Sequence, residues 1–151
     1  MQSISITAAP RLLLVDASND VRERLRALID EDRRCVVVGE AADLAQARRL
    51  FDQTQPDAVV LDLHLGEATT FDLMTEFKRS RPACSIVVLT HRTDCAYRER
   101  CVELSADHFL DKGSDFERIA PLLAEWHAAA AAAPPPQQQL PGLETIVDDL
   151  A

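Results

Sequence analysis

The chain has 151 residues, of which 47% are hydrophobic and 27% charged, and its 25 acidic against 16 basic side chains give a net charge of −9. This length predicts one domain with its own core. The negative charge argues against a nucleic-acid or membrane-surface partner, and no apolar run approaches the roughly 18 residues that span a bilayer. Residues 1–10 have neither the basic nor the apolar region of an export signal, so we expect a cytoplasmic protein.

Short apolar runs alternate with amphipathic segments along the chain. Because the runs are continuously apolar, they predict strands covered on both faces, as in a parallel sheet. The five runs are Leu12–Val15, Cys35–Val38, Ala58–Leu61, Ser85–Leu89 and His108–Leu110. The pattern predicts an α/β fold with five strands.

Apolar residues at helical spacing fill the intervals and predict five helices. The first runs from Asn19 to about Asp32 and is capped by Ser18 or Asn19, and the second follows the cap Asp43 and stops at Pro56. The remaining three are a helix from Phe71 to before Pro82, a helix from about Thr93 to Leu104, and a helix that carries Phe116 through Trp126. The four cysteines lack CxxC spacing, and we expect them to be reduced and structural.

Four regions are predicted along the chain. They are an N-terminal extension over residues 1–10, a folded domain over 11–127, an Ala/Pro/Gln-rich linker over 128–142 and a short acidic tail over 143–151. The tail is interpreted either as disordered or as a docking peptide that orders on a partner.

Polar side chains directly follow four of the apolar runs. Asp16, Asp62 and Thr90 each come at the end of a run, and Asp111 and Lys112 follow the last one. Because the carboxyl ends of parallel strands meet at one edge of a sheet, we expect two carboxylates, a hydroxyl and an ammonium to gather in one shallow site.

Taken in order, these motifs resemble the receiver domain of bacterial two-component response regulators, over about residues 11–126. The resemblance implies a flavodoxin-like, doubly wound sandwich with strand order 2-1-3-4-5 and five helices. It rests on Leu12-Leu13-Leu14-Val15-Asp16, Pro56-Asp57-Ala58-Val59-Val60-Leu61-Asp62-Leu63, Leu89-Thr90 and Ala106-Asp107-His108-Phe109-Leu110-Asp111-Lys112.

The resemblance also implies a role for each polar residue. Asp62 is the expected phosphoacceptor, and Lys112 and Thr90 are expected to bind phosphoryl oxygens. Asp16, Asp62 and the backbone carbonyl of His64 are the expected ligands of Mg²⁺. Thr90 and Phe109 are the expected switch residues, with Thr90 moving inward and Phe109 repacking after phosphorylation.

The sequence departs from the family pattern at several positions. Ala17 stands where most receivers carry a second acid, so we expect weak Mg²⁺ binding. Gly66 and Thr70 replace the usual proline and glycine after Asp62, which predicts a loop that is more mobile or differently shaped. The imidazole of His64 is either a solvated loop side chain or a group facing the site that hinders or orients water. His91 is expected to restrict access to the phosphoryl group.

Three further aspartates are rejected as nucleophiles. Asp57 and Asp107 precede their strands and so should lie at the opposite edge of the sheet, and alternation should turn Asp111 away from Lys112.

The leading functional hypothesis is a stand-alone receiver that accepts a phosphoryl group on Asp62 from a histidine kinase or a histidine phosphotransfer protein. It would signal through protein contacts of the fourth helix, fifth strand and fifth helix, with a kinase or a second copy of the chain. It would not be an enzyme, beyond self-phosphorylation from small donors and self-dephosphorylation.

The alternative is a receiver-like adaptor that docks partners without phosphorylation, for which Ala17 is the main support. A flavodoxin-like cofactor binder or an aspartate-nucleophile phosphatase is disfavoured. The chain has only four glycines and no glycine-rich loop after the first run, and the residue two positions after Asp62 is His64 rather than an aspartate.

Overall fold

The computed structural model describes residues 9–119, 121, 122 and 125. Its strands are β1 (Arg11–Val15), β2 (Val36–Ala41), β3 (Ala58–Leu61), β4 (His64–Leu65), β5 (Ala68–Thr69), β6 (Ser85–Thr90) and β7 (His108–Asp111). Five of them form one parallel sheet in the spatial order β2-β1-β3-β6-β7. This confirms the α/β class and the predicted strand order, because the two added strands belong to a separate hairpin.

Four α-helices with defined bounds connect these strands in the described residues. They are α1 (Asn19–Asp32), α2 (Leu44–Thr54), α3 (Phe71–Ser80) and α4 (Cys95–Glu103). Ser18, rather than Asn19, caps α1, and the carboxylate of Asp43 caps α2 by accepting a hydrogen bond from the Gln46 amide at 2.8 Å. Short polar side chains at these positions satisfy amide groups that the helix itself leaves unpaired.

The hydrophobic core has two layers because alternate residues of each strand face opposite sides of the sheet. On β1, Leu13 and Val15 pack on one side with residues of α2 and α3, and Leu12 and Leu14 pack on the other with residues of α1. On the first side the rings of Phe51 and Phe77 stack with centroids 3.9 Å apart, which joins α2 to α3. The sheet is thus covered on both faces.

The hairpin of β4 and β5 was not predicted. Its two-residue turn is Gly66-Glu67, and only Gly66 has a positive φ, of 67°. Glycine at the first central position with this φ is the pattern of a type II′ turn, which proline cannot adopt because its ring fixes φ near −65°. The sequence predicted a loop that is either more mobile or differently shaped than usual, and the structure has a loop of different shape, an antiparallel hairpin.

Other element boundaries differ from the predictions. β2 begins after Cys35 and continues through Gly39 and Glu40. The strand can include Glu40 because this carboxylate forms ion pairs with two arginines of α1. The fourth helix begins at Cys95 rather than about Thr93. Where the fifth helix was predicted, the structure describes a 3₁₀ turn, Phe116–Arg118, and the described residues that follow it, 119, 121, 122 and 125, are helical.

The remaining predictions for the end of the chain fall on residues that the structure does not describe. Trp126, the linker and the acidic tail lie outside the described residues, and so does most of the N-terminal extension. Among the described helices, none combines the length and the apolar composition that crossing a bilayer requires.

Three of the cysteines are core residues, as expected. Cys35, Cys84 and Cys101 are buried, and burial raises the pKa of Cys84 and of Cys101 to about 11. Cys95 is exposed at the start of α4, so its expected structural role is wrong.

Candidate functional site

The carboxyl ends of four strands bring the predicted polar residues to one edge of the sheet. Val15 is in register with Leu61, so Asp16 and Asp62 leave β1 and β3 side by side, and the Asp62 amide donates to the Val15 carbonyl at 3.0 Å. Thr90 is in register with Asp111, and the amide of Lys112 donates to the Thr90 carbonyl at 2.8 Å. The parallel register therefore places the three polar side chains and Lys112 around a common edge.

Lys112 joins the two carboxylates. Its Nζ lies 2.7 Å from Oδ2 of Asp16 and 2.7 Å from Oδ2 of Asp62. The side chains of Lys112, Asp16 and Asp62 are 7%, 5% and 14% exposed, so the ion pairs lie largely out of water. Burial alone would lower the pKa of Lys112, but the hydrogen bonds and charges of the two aspartates outweigh it and raise that pKa above its ordinary value.

Asp16 is held from three directions. Besides the contact with Lys112, its Oδ1 accepts the amide of Ser18 at 2.8 Å, and its backbone carbonyl accepts the guanidinium of Arg22. Arg22 in turn pairs with Glu40 on β2 at 3.2 Å. The sequence alone did not point to Arg22 or Glu40, because both lie on segments that were assigned only by their apolar residues.

Glu40 on β2 forms ion pairs with two arginines of α1 next to the site. Arg22 and Arg26 bind its two carboxylate oxygens at 3.2 and 2.7 Å. Partial burial pushes the pKa of Glu40 up, but the hydrogen bonds from Arg26 and Arg22 dominate, and the pKa lies below its ordinary value of 4.5. Arg22 is thereby fixed where it can hold the backbone of Asp16.

Ring packing places His64 at the boundary between the site and α4. Its amide donates to Oδ1 of Asp62 over 3.4 Å, while its ring lies edge-on to Tyr97 of α4 with centroids 5.6 Å apart. Its Nδ1 is buried and has no hydrogen-bond partner among the described residues. The imidazole therefore packs against α4 rather than standing as a solvated loop side chain.

The register of the hairpin directs the backbone of His64. The amide of Thr70 donates to the carbonyl of Leu63 at 2.9 Å, so those two residues form a hydrogen-bonded pair. Such pairs alternate along an antiparallel ladder, which makes His64 and Thr69 the non-bonded pair. The amide and carbonyl of His64 then point away from β5, towards the side on which that amide meets Asp62.

These groups form an oxygen-rich donor set. The carboxylates of Asp16 and Asp62 together with the carbonyl of His64 are oxygen donors of the kind that fit a hard cation that retains several waters. No cluster of three His, Cys, Asp or Glu side chains suited to a metal occurs among the described residues.

The predicted switch residues lie next to this edge. Thr90 is fully buried, and its Oγ1 accepts the amide of Arg92 at 3.1 Å. Phe109 is half-buried on β7, and the guanidinium of Arg98 lies 4.4 Å from the centroid of its ring. His91, expected to restrict access, is exposed directly after Thr90.

The rejected aspartates lie elsewhere. Asp57 accepts the amide of Arg11 at 2.8 Å, and Asp107 accepts from Lys78 at 2.9 Å, both at the amino-terminal edge of the sheet. Asp111 accepts the amide of Gly113 at 2.7 Å and is not part of the Lys112 ion pairs.

The model of the response regulator receiver domain family matches residues 12–124. The chain therefore belongs to the response regulator receiver family. A solved two-component response regulator of the LuxR family from Aurantimonas sp. is 29% identical, with a TM-score of 0.72, and the match covers 92% of this chain and 99% of that one. A response regulator from Burkholderia pseudomallei, solved with a phosphorylated aspartic acid, a calcium ion and citrate, is 27% identical, with a TM-score of 0.65 and coverages of 81% and 69%.

Curated relatives are longer proteins. The transcriptional regulatory protein YdfI of Bacillus subtilis is 29% identical over 109 residues, which are 72% of this chain and 51% of YdfI. A protein-glutamate methylesterase/protein-glutamine glutaminase of Agrobacterium fabrum is 35% identical over 89 residues, 58% of this chain and 25% of that protein. The chain thus spans about half of the first relative and a quarter of the second.

Proposed function

We propose that this chain is a phosphorylation switch that accepts a phosphoryl group on Asp62 from a phosphohistidine of a histidine kinase or a histidine phosphotransfer protein. The observation that carries the proposal is the position of the Lys112 ammonium, 2.7 Å from the carboxylates of both Asp62 and Asp16 at the carboxyl edge of the sheet. A carboxylate held beside a buried cation is suited to receive a group that carries several negative charges.

In the proposed reaction a carboxylate oxygen of Asp62 attacks phosphorus. The new P–O bond forms as the P–N bond of the phosphohistidine breaks, and the electron pair of that bond stays on the departing imidazole nitrogen, which takes a proton from solvent. Lys112 and the hydroxyl of Thr90 bind the oxygens of the transferred group. Water later hydrolyses the acyl phosphate and restores the Asp62 carboxylate.

Asp16, Asp62 and the carbonyl of His64 are the proposed ligands of Mg²⁺. When bound, Mg²⁺ would supply positive charge that offsets the charge of the phosphoryl group. With two carboxylates in place of the usual three, we propose that its affinity is low. The residues of this chain would still orient the acceptor, through the contacts of Lys112 and the turn that holds Asp16.

The proposed output is a change in protein contacts, made in the cytoplasm. Inward movement of Thr90 would free space for Phe109, whose ring lies under Arg98 of α4. The surface of α4 and β7 would then present a different arrangement to a kinase, to another partner or to a second copy. The chain itself would turn over only by self-phosphorylation from small donors and self-dephosphorylation.

Ala17 supports a second candidate, an adaptor that docks partners without phosphorylation. It removes the acid that most receivers place beside the equivalent of Asp16 and is exposed at the site. A pure adaptor has no physical need for a buried and a largely buried carboxylate paired with a buried lysine, since burying charges costs free energy that only their pairing offsets. We therefore place the switch first.

The two candidates are separated by incubation with phosphoramidate or acetyl phosphate and Mg²⁺, followed by intact mass measurement. We expect one labile phosphoryl adduct on the wild type and none on Asp62→Asn. Asp57→Asn is the matched control, because it makes the same change at the opposite edge of the sheet and should still be modified.

Absence of an adduct on the wild type with either donor, together with unchanged amide spectra on addition of beryllofluoride, would reject the switch in favour of the adaptor. An adduct that persists in Asp62→Asn would instead assign the phosphoryl group to another residue.

A further inference from the structure

Thr70 is a fully buried polar residue that the proposed reaction does not use. It directly precedes α3, where a threonine side chain commonly caps the helix by accepting a backbone amide, but here it makes no capping hydrogen bond. Its hydroxyl instead donates backwards to the carbonyl of Asp62 at 2.8 Å. The helix thus lacks a side-chain cap, and the hydroxyl is committed to the backbone of the proposed phosphoacceptor.

Thr70 also holds the next residue of that backbone. Its amide donates to the carbonyl of Leu63 at 2.9 Å, so one residue fixes two successive carbonyls after β3. The peptide between Asp62 and Leu63 cannot rotate without breaking the hydroxyl bond, and a carbonyl left without a hydrogen-bond partner away from water is unfavourable. The orientation of Asp62 is therefore tied to the start of α3.

The same contacts set the direction of the loop that follows. The bond between Thr70 and Leu63 closes the hairpin and leaves His64 in a non-bonded pair, which turns the amide of His64 towards Oδ1 of Asp62. Glycine, which the family usually carries at position 70, offers no hydroxyl for this purpose. This chain can form the hydrogen bond from residue 70 to the Asp62 carbonyl because it has threonine where the family usually has glycine.

We propose that Thr70 is a positioning residue for phosphoryl transfer, and that its buried hydroxyl keeps the carboxylate of Asp62 against Lys112 while the acceptor reacts. The inference rests on the proposed function at Asp62. It assigns to Thr70 an effect on the rate of the transfer step and none on binding of the donor, because the hydroxyl contacts backbone and not the incoming group.

The test compares Thr70→Val, which keeps the shape but loses the hydroxyl, with Thr70→Ser, which keeps the hydroxyl. Phosphorylation rates over a range of phosphoramidate concentrations give kcat and KM separately. We expect Thr70→Val to lower kcat about tenfold with KM unchanged, and Thr70→Ser to restore most of the rate. Thr75→Val is the matched control, since it removes a hydroxyl from the first turns of α3, where that hydroxyl donates to the Phe71 carbonyl at 3.4 Å and not to the backbone of Asp62.

The proposal is overturned if a folded Thr70→Val has the kcat of Thr70→Ser, or if KM changes in place of kcat. Should Thr70→Val fail to fold, Thr70→Gly replaces it in the comparison, because glycine removes the hydroxyl without placing a methyl against the Asp62 carbonyl. A wild type that is not phosphorylated at all would reject the function of Asp62 itself, which is a separate result from equal rates in phosphorylated variants.

Discussion

The guanidinium of Arg98 lies over the ring of Phe109, 4.4 Å from its centroid. Arg98 belongs to α4 and Phe109 to β7, so this contact links the helix to the residue proposed as the aromatic switch. A cation placed over an aromatic face at this distance contributes about 0.5–1 kcal/mol at an exposed site. The contact favours the present position of Phe109.

We therefore predict an energetic coupling between these residues. In a double-mutant cycle of Arg98→Gln and Phe109→Leu, urea unfolding should give a coupling energy of about 0.5–1 kcal/mol. Arg100→Gln combined with Phe109→Leu is the control, because the guanidinium of Arg100 lies over Phe71 at 5.9 Å instead. Strictly additive energies in the first cycle would contradict the coupling.

Restoring an acid at position 17 should strengthen metal binding. Ala17 is exposed at the turn after β1, next to Asp16, and Ala17→Asp adds a carboxylate oxygen for a hard cation. We expect Mg²⁺ affinity to rise about tenfold by calorimetric titration, equivalent to about 1.4 kcal/mol. Gln53→Glu, which adds the same charge on the exposed surface of α2, should leave the affinity unchanged, and an equal rise in both variants would show a general charge effect.

Stability should depend on pH through Glu40. Its pKa lies below 4.5, so the unfolded chain takes up the proton first as the pH falls. The stabilisation is therefore fully present above pH 4.5 and is lost as the pH falls through the pKa of the folded state. Glu40→Gln should lower the free energy of unfolding by about 1 kcal/mol near neutral pH and by progressively less in acid.

The measurement is urea unfolding of the wild type and Glu40→Gln across the acid range. Glu31→Gln, a change at an exposed carboxylate of α1, is the control. A difference between wild type and Glu40→Gln that stays constant with pH would assign the effect to packing instead of to the paired charge.

Replacement of Gly66 should strain the hairpin. Its φ of 67° is unfavourable for any residue with a Cβ, although no atom lies within 4 Å of the position that the Cβ would take. Gly66→Ala should thus lower the free energy of unfolding by about 1 kcal/mol through the backbone alone. Gly113→Ala, where the new Cβ would meet only Asp111 at an ordinary 3.4 Å, should have a smaller effect; the reverse ranking would refute the argument.

Local patterns in the sequence were sufficient to predict the sheet and its polar edge. Continuous apolar runs such as Ala58–Leu61 identify strands covered on both faces, and the residue that follows each run must lie at the carboxyl edge. The placement of Asp16 and Asp62 at that edge needs no more than this, whereas the strand order and the role of Lys112 rested on the resemblance to receiver domains. Cap residues such as Asp43 likewise fixed helix starts, because capping depends only on neighbours in the chain.

Features that depend on contacts between distant segments were not predicted. The strands β4 and β5 have two residues each, too few for any periodicity, and the turn needs only the φ of Gly66. Glu40 lies beyond the predicted run Cys35–Val38, and its partners Arg22 and Arg26 lie in another element, so no local pattern indicates its role. The direction of the Thr70 hydroxyl depends on the fold of the loop, which composition does not determine.

The shared lysine has a consequence for charge neutrality in this site. A buried ammonium with a single carboxylate counter-ion would be left unpaired whenever that carboxylate was modified or displaced. An unpaired buried cation is costly enough to destabilise the structure around it. Because Lys112 lies 2.7 Å from Asp16 as well as from Asp62, chemistry at residue 62 leaves the ammonium a permanent counter-ion. Because of Asp16, the stability of this edge of the sheet should depend little on whether Asp62 is modified.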